Sequence, residues 1–255
     1  MGARQGRGHF LKTLDWQSGS EALALLLLGV LLLSYRLGNQ LFLVVQKDFI
    51  WAVTLTGCLL LTLGCYRIGR FWQGEASPTS HPATPLKPLG GWLLIATCCL
   101  GFWIPPQPLS GQTALNRGVA QNLGTTRYET VEFRPQLDPA QRSLIDWVRL
   151  LNAYPDPQTY VGQPVNLKGF VVHPESAPPN QFWITRFLIS CCAADAYPVG
   201  LPVHWSEGES LPADSWQMVQ GRMTVETIAG SPQLVIQAEN VTPMPTPTNP
   251  YDHTL

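Results

Sequence analysis

NQFWITRFLISCCAADAYPVGLPVHW, residues 180–205, decides how the second half of the chain is read. Gln181 to Ile189 mixes aromatic and β-branched residues in a strand pattern. Gly200 to Trp205 reads as the next strand. Between them stand two adjacent cysteines, Cys191 and Cys192, and then Ala193, Ala194 and Asp195, which read as a turn or a single helical turn.

Outward from this stretch the two-residue period continues. VGQPVNLKGFVV, residues 161–172, opens a strand at Gly162-Gln163-Pro164 and ends before His173-Pro174. SWQMVQGRMTVETI, residues 215–228, is a further strand, bent at Gly221 because glycine inside a strand marks a bulge or a close approach. Gln233 to Val241 is the fifth. Five short strands in residues 155–243 suit a small OB-like β-barrel. Ahead of it, residues 138–154 read as an amphipathic helix. Asp138 caps it, Pro139 occupies its first turn, and Pro155 ends it. Residues 107–137 form a connector in which Thr126 to Phe133 has the alternation of a strand. Residues 244–255 form a Pro-rich extended tail.

Residues 1–106 have a different character. Three apolar runs, Ala22–Tyr35, Phe49–Tyr66 and a third from Leu89 to the Pro105-Pro106 stop, predict a membrane anchor of three transmembrane helices. The first has only 14 uncharged residues. It reaches membrane-crossing length if Glu21 sits among lipid headgroups. Trp92 and Trp103 bracket the third like an aromatic belt. Tyr35, Arg36 and Leu37 follow the first run where a cleaved leader would need small residues, so a retained anchor is expected. The loop at residues 74–88 is rich in Pro, Ser and Thr, and its His81 stands alone as a potential ligand.

Charge divides the chain in the same place. Residues 1–116 hold 8 Lys/Arg against 4 Asp/Glu, while residues 117–255 hold 8 against 13. The basic residues of the N-terminal tail and of the second loop predict a cytoplasmic N-terminus, with the barrel outside. The location follows as a multi-pass protein of the plasma (inner) membrane. An acidic soluble half excludes nucleic acid as the expected partner. The aromatics Phe182, Trp183 and Phe187 are accordingly expected in the core. No G-x-S-x-G, P-loop, dinucleotide fingerprint or H-E-x-x-H occurs, so no enzyme class is assigned.

Three readings of the cysteine pair stay open. Cys191, Cys192 and Asp195 with His173 or His204 would suit a thiophilic metal such as zinc or copper. The pair could instead exchange disulfides, although neighbours on a trans peptide sit 3.8 Å apart at Cα, closer than a disulfide prefers. Or the cysteines fill a tight turn while Asp195 caps backbone N–H groups.

The stretches 155–172 and 178–205, with the FxxxRFxxxCCxADAxPxG-like pattern of Phe182, Arg186, Phe187, Cys191, Cys192, Ala194, Asp195, Ala196, Pro198 and Gly200, resemble an uncharacterised family of bacterial membrane proteins described as two-component permease subunits. The ending from Val235 to Tyr251 is similar too. The resemblance implies a polytopic permease-like partner and an accessory, non-enzymatic role. The barrel would then bind a solute or ion or hand it over. The alternative is a metal-binding or thiol-redox protein using Cys191 and Cys192.

Overall fold

A computed structural model describes residues 6–72, 87–119, 138–175, 177–228 and 231–253. The strand expected at Thr126–Phe133 and the His81 loop lie outside them. Packing divides the chain into two compact units. One comprises Met1–Leu41 and Lys47–Pro106; the other comprises Phe42–Gln46 and Gln107–Leu255.

The first unit holds three helices, α1 (Gly6–Leu37), α2 (Ile50–Trp72) and α3 (Lys87–Trp103). Two are long and apolar enough to cross a membrane, over Gly19–Leu37 and Lys47–Arg70. The apolar part of α3, Gly90–Trp103, is shorter. Expectation is thus reversed. The run that looked short lies within the longest helix, and the run with bracketing tryptophans is the short one. Small residues let the helices approach closely, as in membrane packing generally. A Cβ on Gly64 would lie 2.6 Å from Leu26, and one on Gly29 would lie 2.8 Å from Leu61. Glu21 on α1 pairs with Arg67 on α2 at 2.9 Å. Away from these contacts, Leu55, Leu59 and Leu63 of α2 stay exposed, as do Leu93, Leu94 and Leu100 of α3.

The second unit is a closed five-strand β-barrel with helices attached. Its strands are β1 (Pro164–Val172), β2 (Gln181–Ile189), β3 (Tyr197–His204), β4 (Trp216–Ile228) and β5 (Ser231–Pro243). The ring runs β1-β2-β3-β5-β4 and back to β1, with β3 and β5 parallel and every other pair antiparallel. Val165, Leu167, Phe182, Ile184, Leu201, Val203, Val219, Met223, Leu234 and Ile236 fill the interior. The barrel interior is thus a packed core. Phe182 and Phe187 are fully buried, as expected, and Trp183 is partly buried.

Two glycines make the ring possible. At Gly169, where β1 crosses β2, a Cβ would meet the Thr185 carbonyl oxygen at 2.6 Å. At Gly221 it would run into the Gln237 carbonyl oxygen, at the register shift between β4 and β5. That is the bend expected there.

The amphipathic helix is α5 (Leu144–Ala153), and it starts later than the sequence suggested. Asp138 and Pro139 open only a short 3₁₀ turn. Ser143 caps α5 instead, in a reciprocal box with Asp146, a device worth about 1 kcal/mol. Its stripe, led by the fully buried Trp147, packs into the barrel core, and Trp147 meets Tyr160 edge-to-face at 6.0 Å.

Two further elements were not foreseen. A short helix, α4 (Gly111–Arg117), lies in the connector; its N-terminal Gly111 N–H donates to Asp214, and Arg117 donates to the Ala196 carbonyl. The expected tail carries a sixth strand, β6 (Tyr251–His253), parallel to the end of β2. Tyr251 is buried against Phe187. The prolines before it obscured a strand of only three residues.

The Gly221 contact leads to a prediction. G221A should destabilise the barrel by about 1–3 kcal/mol through overpacking. Hydrogen exchange should then show earlier loss of slow amides in β4 and β5. Unchanged exchange would refute the close-approach account.

Candidate functional site

The end of β2 builds the site. After Ile189 the strand stops, and Ser190, Cys191 and Cys192 lead into a 3₁₀ turn at Ala193–Asp195. Asp195 makes this turn. One carboxylate oxygen accepts from the Ser190 N–H at 3.1 Å, and the other accepts from the Cys191 N–H at 2.8 Å. Both oxygens therefore serve the backbone, as the capping reading expected.

A second constraint comes from far away in sequence. Phe42–Gln46, between α1 and α2 in the chain, belongs to the barrel unit. Val45 forms an antiparallel bridge with Cys192. The Gln46 N–H donates to the Cys191 carbonyl at 3.0 Å, and the Ala193 N–H donates to the Val44 carbonyl at 2.8 Å. Tyr251 extends the staple. Its hydroxyl donates to the Leu43 carbonyl at 3.2 Å and accepts from the Leu109 N–H at 3.2 Å.

With the backbone held on both sides, the thiols are left outward. Cys191 is exposed and Cys192 half-buried, and their sulfurs lie 3.5 Å apart. In a regular strand, adjacent side chains would point to opposite faces. The turn brings them together as two free thiols. The Cys191 thiol is pushed up to about 11, first by its hydrogen bond with Cys192 and then by that with Asp195. At neutral pH it is therefore a protonated thiol, less nucleophilic than a free cysteine.

The histidines are elsewhere. His204 ends β3 opposite Gln181, the first residue of β2, whereas Cys191 follows the last. His173 follows Val172, which opposes Trp183 near the same early end. Strand rise over this length separates the two ends by on the order of 25 Å. Both histidines are also engaged. The His173 Nε2–H donates to the Leu211 carbonyl at 2.9 Å. Asn180 donates to His204 Nε2 at 2.6 Å, and the His204 Nδ1–H donates to Glu226 at 3.0 Å. Of the five residues expected around a metal, the structure brings together Cys191, Cys192 and Asp195, and it keeps His173 and His204 apart from them. Among the described residues, no group of three or more His, Cys, Asp or Glu is placed to hold a metal ion.

Some polar features could not have been seen in sequence. Glu226 and Asn180 orient His204 across strands. Arg186 pairs with Asp252 of β6 at 3.2 Å and lies 5.5 Å over the Trp216 ring. Burial pushes the Asp252 carboxyl up, and Arg186 opposes that shift. A cleft of about 560 Å³ opens beside the end of α5, lined by Arg142, Leu150, Tyr154, Asp156, Tyr160 and Gln163. Arg142 is committed inside it, donating to Gln163 at 2.8 Å and stacking on Trp147.

These features define a class: a small closed β-barrel with a thiol pair at its rim, on a chain whose helices include two of membrane-crossing length. Within that class, residues 129–253 match the DUF1980 C-terminal domain, which is the domain of an uncharacterised family. No curated protein and no solved structure matches the chain.

The thiol geometry predicts a pH profile. Alkylation of Cys191, followed by peptide mass spectrometry, should be slow at pH 8 and rise towards a midpoint of about 11. C192A removes the leading hydrogen bond and should move that midpoint down. A Cys191 midpoint near 9 in the unaltered chain would contradict the geometry.

Proposed function

We propose that the chain is an accessory, non-enzymatic subunit of a membrane permease complex. Its barrel stands outside the cytoplasm and binds a solute or ion or hands it over to a polytopic partner. The carrying observation is the uncovered apolar surface of α2 and α3, including Leu55, Leu59, Leu63, Leu93 and Leu94. Two or three crossing helices are too few to enclose a substrate path. An apolar surface of this kind suits lipid or the helices of a larger protein. The filled barrel interior is consistent with this role, since it leaves the rim as the place for a ligand.

The proposed topology has three crossings, with α3 as the third, in the plasma (inner) membrane. The N-terminus is cytoplasmic, as the basic residues of the first tail and second loop favour. The staple between Val44–Gln46 and Cys191–Ala193 supports this count. With two crossings alone, the loop after α1 and the barrel would lie on opposite faces of the membrane and could not pair. With three, they share a face.

Two measurements test the proposal. Chemical cross-linking in native membranes followed by affinity purification should recover a polytopic protein in stoichiometric amount. Recovery of the chain only as a lone monomer would defeat the accessory reading. A membrane-impermeant maleimide applied to intact cells at alkaline pH should label Cys191. Labelling only after the membrane is opened would invert the topology.

A further inference from the structure

We propose that Cys191 and Cys192 form a two-sulfur chelate for a thiophilic divalent cation, held by the barrel rim in an open and transferable site. The inference deepens the hand-over reading by naming the cargo. Three observations support it.

The first is convergence. Adjacent residues in extended backbone direct their side chains apart, and Cys192 is itself extended, with φ −159° and ψ 171°. The sulfurs nevertheless lie 3.5 Å apart. The second is the chord between them. Tetrahedral coordination with metal–sulfur bonds of about 2.3 Å places two sulfurs about 3.8 Å apart, and a linear bridge would need about 4.6 Å. The observed separation is close to the bent chelate and well short of the linear one. The third is the commitment of everything around the pair. The Cys191 N–H and carbonyl and the Ala193 N–H are all hydrogen-bonded, and both Asp195 oxygens cap the turn. The backbone therefore holds its position as the thiols load or release an ion.

Binding exchanges two S–H protons, released to solvent, for two metal–sulfur bonds. No oxidant or reductant is involved. Cys191 is exposed, and neither His173 nor His204 reaches the pair, so these two leave the remaining coordination positions open. A structural zinc site is closed by four protein ligands. An ion held by two sulfurs with open positions can be taken by a receiving group that supplies the rest.

The test uses the full chain in detergent micelles under reducing conditions, with Cys58, Cys65, Cys98 and Cys99 changed to alanine. Titration with Cd²⁺ should produce a sulfur-to-metal charge-transfer band that saturates at one ion per chain and is displaced by Zn²⁺. Loss of an outer partner alone costs about 10–100-fold in metal affinity, so C191S or C192S should each cost at least that. The double variant C191S/C192S should abolish the band, while H173Q and H204Q should leave it intact. Should the double variant fold poorly, blocking both thiols of the folded chain with methyl methanethiosulfonate gives the same comparison. Absence of the band, or its survival without both thiols, would overturn the proposal. The titration needs no partner, so it fails independently of the cross-linking experiment.

Discussion

One edge of β2 is shared, and the second unit depends on how. β1 hydrogen-bonds to that edge at Trp183–Thr185 and then diverges; β6 takes it over at Phe187–Ile189. The other edge is paired with β3 along its length. The early part of β2 therefore closes the ring, and the late part joins the barrel to the last described strand. Where β2 ends, its final hydrogen-bonding capacity passes to the turn with the thiol pair and to Val44–Gln46. Closure, the sixth strand and the candidate site all follow from one strand having more length than one neighbour can cover.

This division explains the two hydrophobic clusters on β2. Phe182 and Ile184 face the barrel interior, whereas Phe187 and Ile189 pack with Phe170, Trp216, Tyr251 and Ala114 on the other side. A strand buried on both faces reads as a nearly continuous apolar run, as Gln181 to Ile189 does. The outer cluster needs α4 and β6 to cover it, and both are short elements in segments with weak periodicity. Arg186 and Asp252 lie at the same junction and pair there, so the charge buried with each is partly offset by the other.

Legibility followed period and length. The five barrel strands, the bend at Gly221 and the buried stripe of α5 could be read because each rests on several residues in phase. The start of α5 was misplaced because Asp138-Pro139 satisfies the same capping rule as Ser143 with Asp146, and only packing decides between them. β6 has three residues, too few for a period to appear. The site was half legible. Asp195 as a turn-maker follows from local chemistry, and the adjacency of the cysteines is written in the chain. That their sulfurs converge, that both histidines lie at the other end of the barrel, and that residues 42–46 complete the turn all depend on strand register, which spacing along a sequence does not encode.

The Tyr251 hydroxyl bond to Leu43 joins residues 208 apart in the chain. During synthesis, Leu43 and its neighbours are made before the barrel exists. The Leu43 carbonyl must wait, satisfied by water, until β6 has emerged, and Val44 and Gln46 until Cys191 and Ala193 have. Loop closure over such a distance is slow and entropically costly, which makes this staple one of the last contacts to form. The turn itself closes locally, through the Ser190 and Cys191 N–H groups on Asp195, and the bonds from residues 44–46 are laid onto a turn already made.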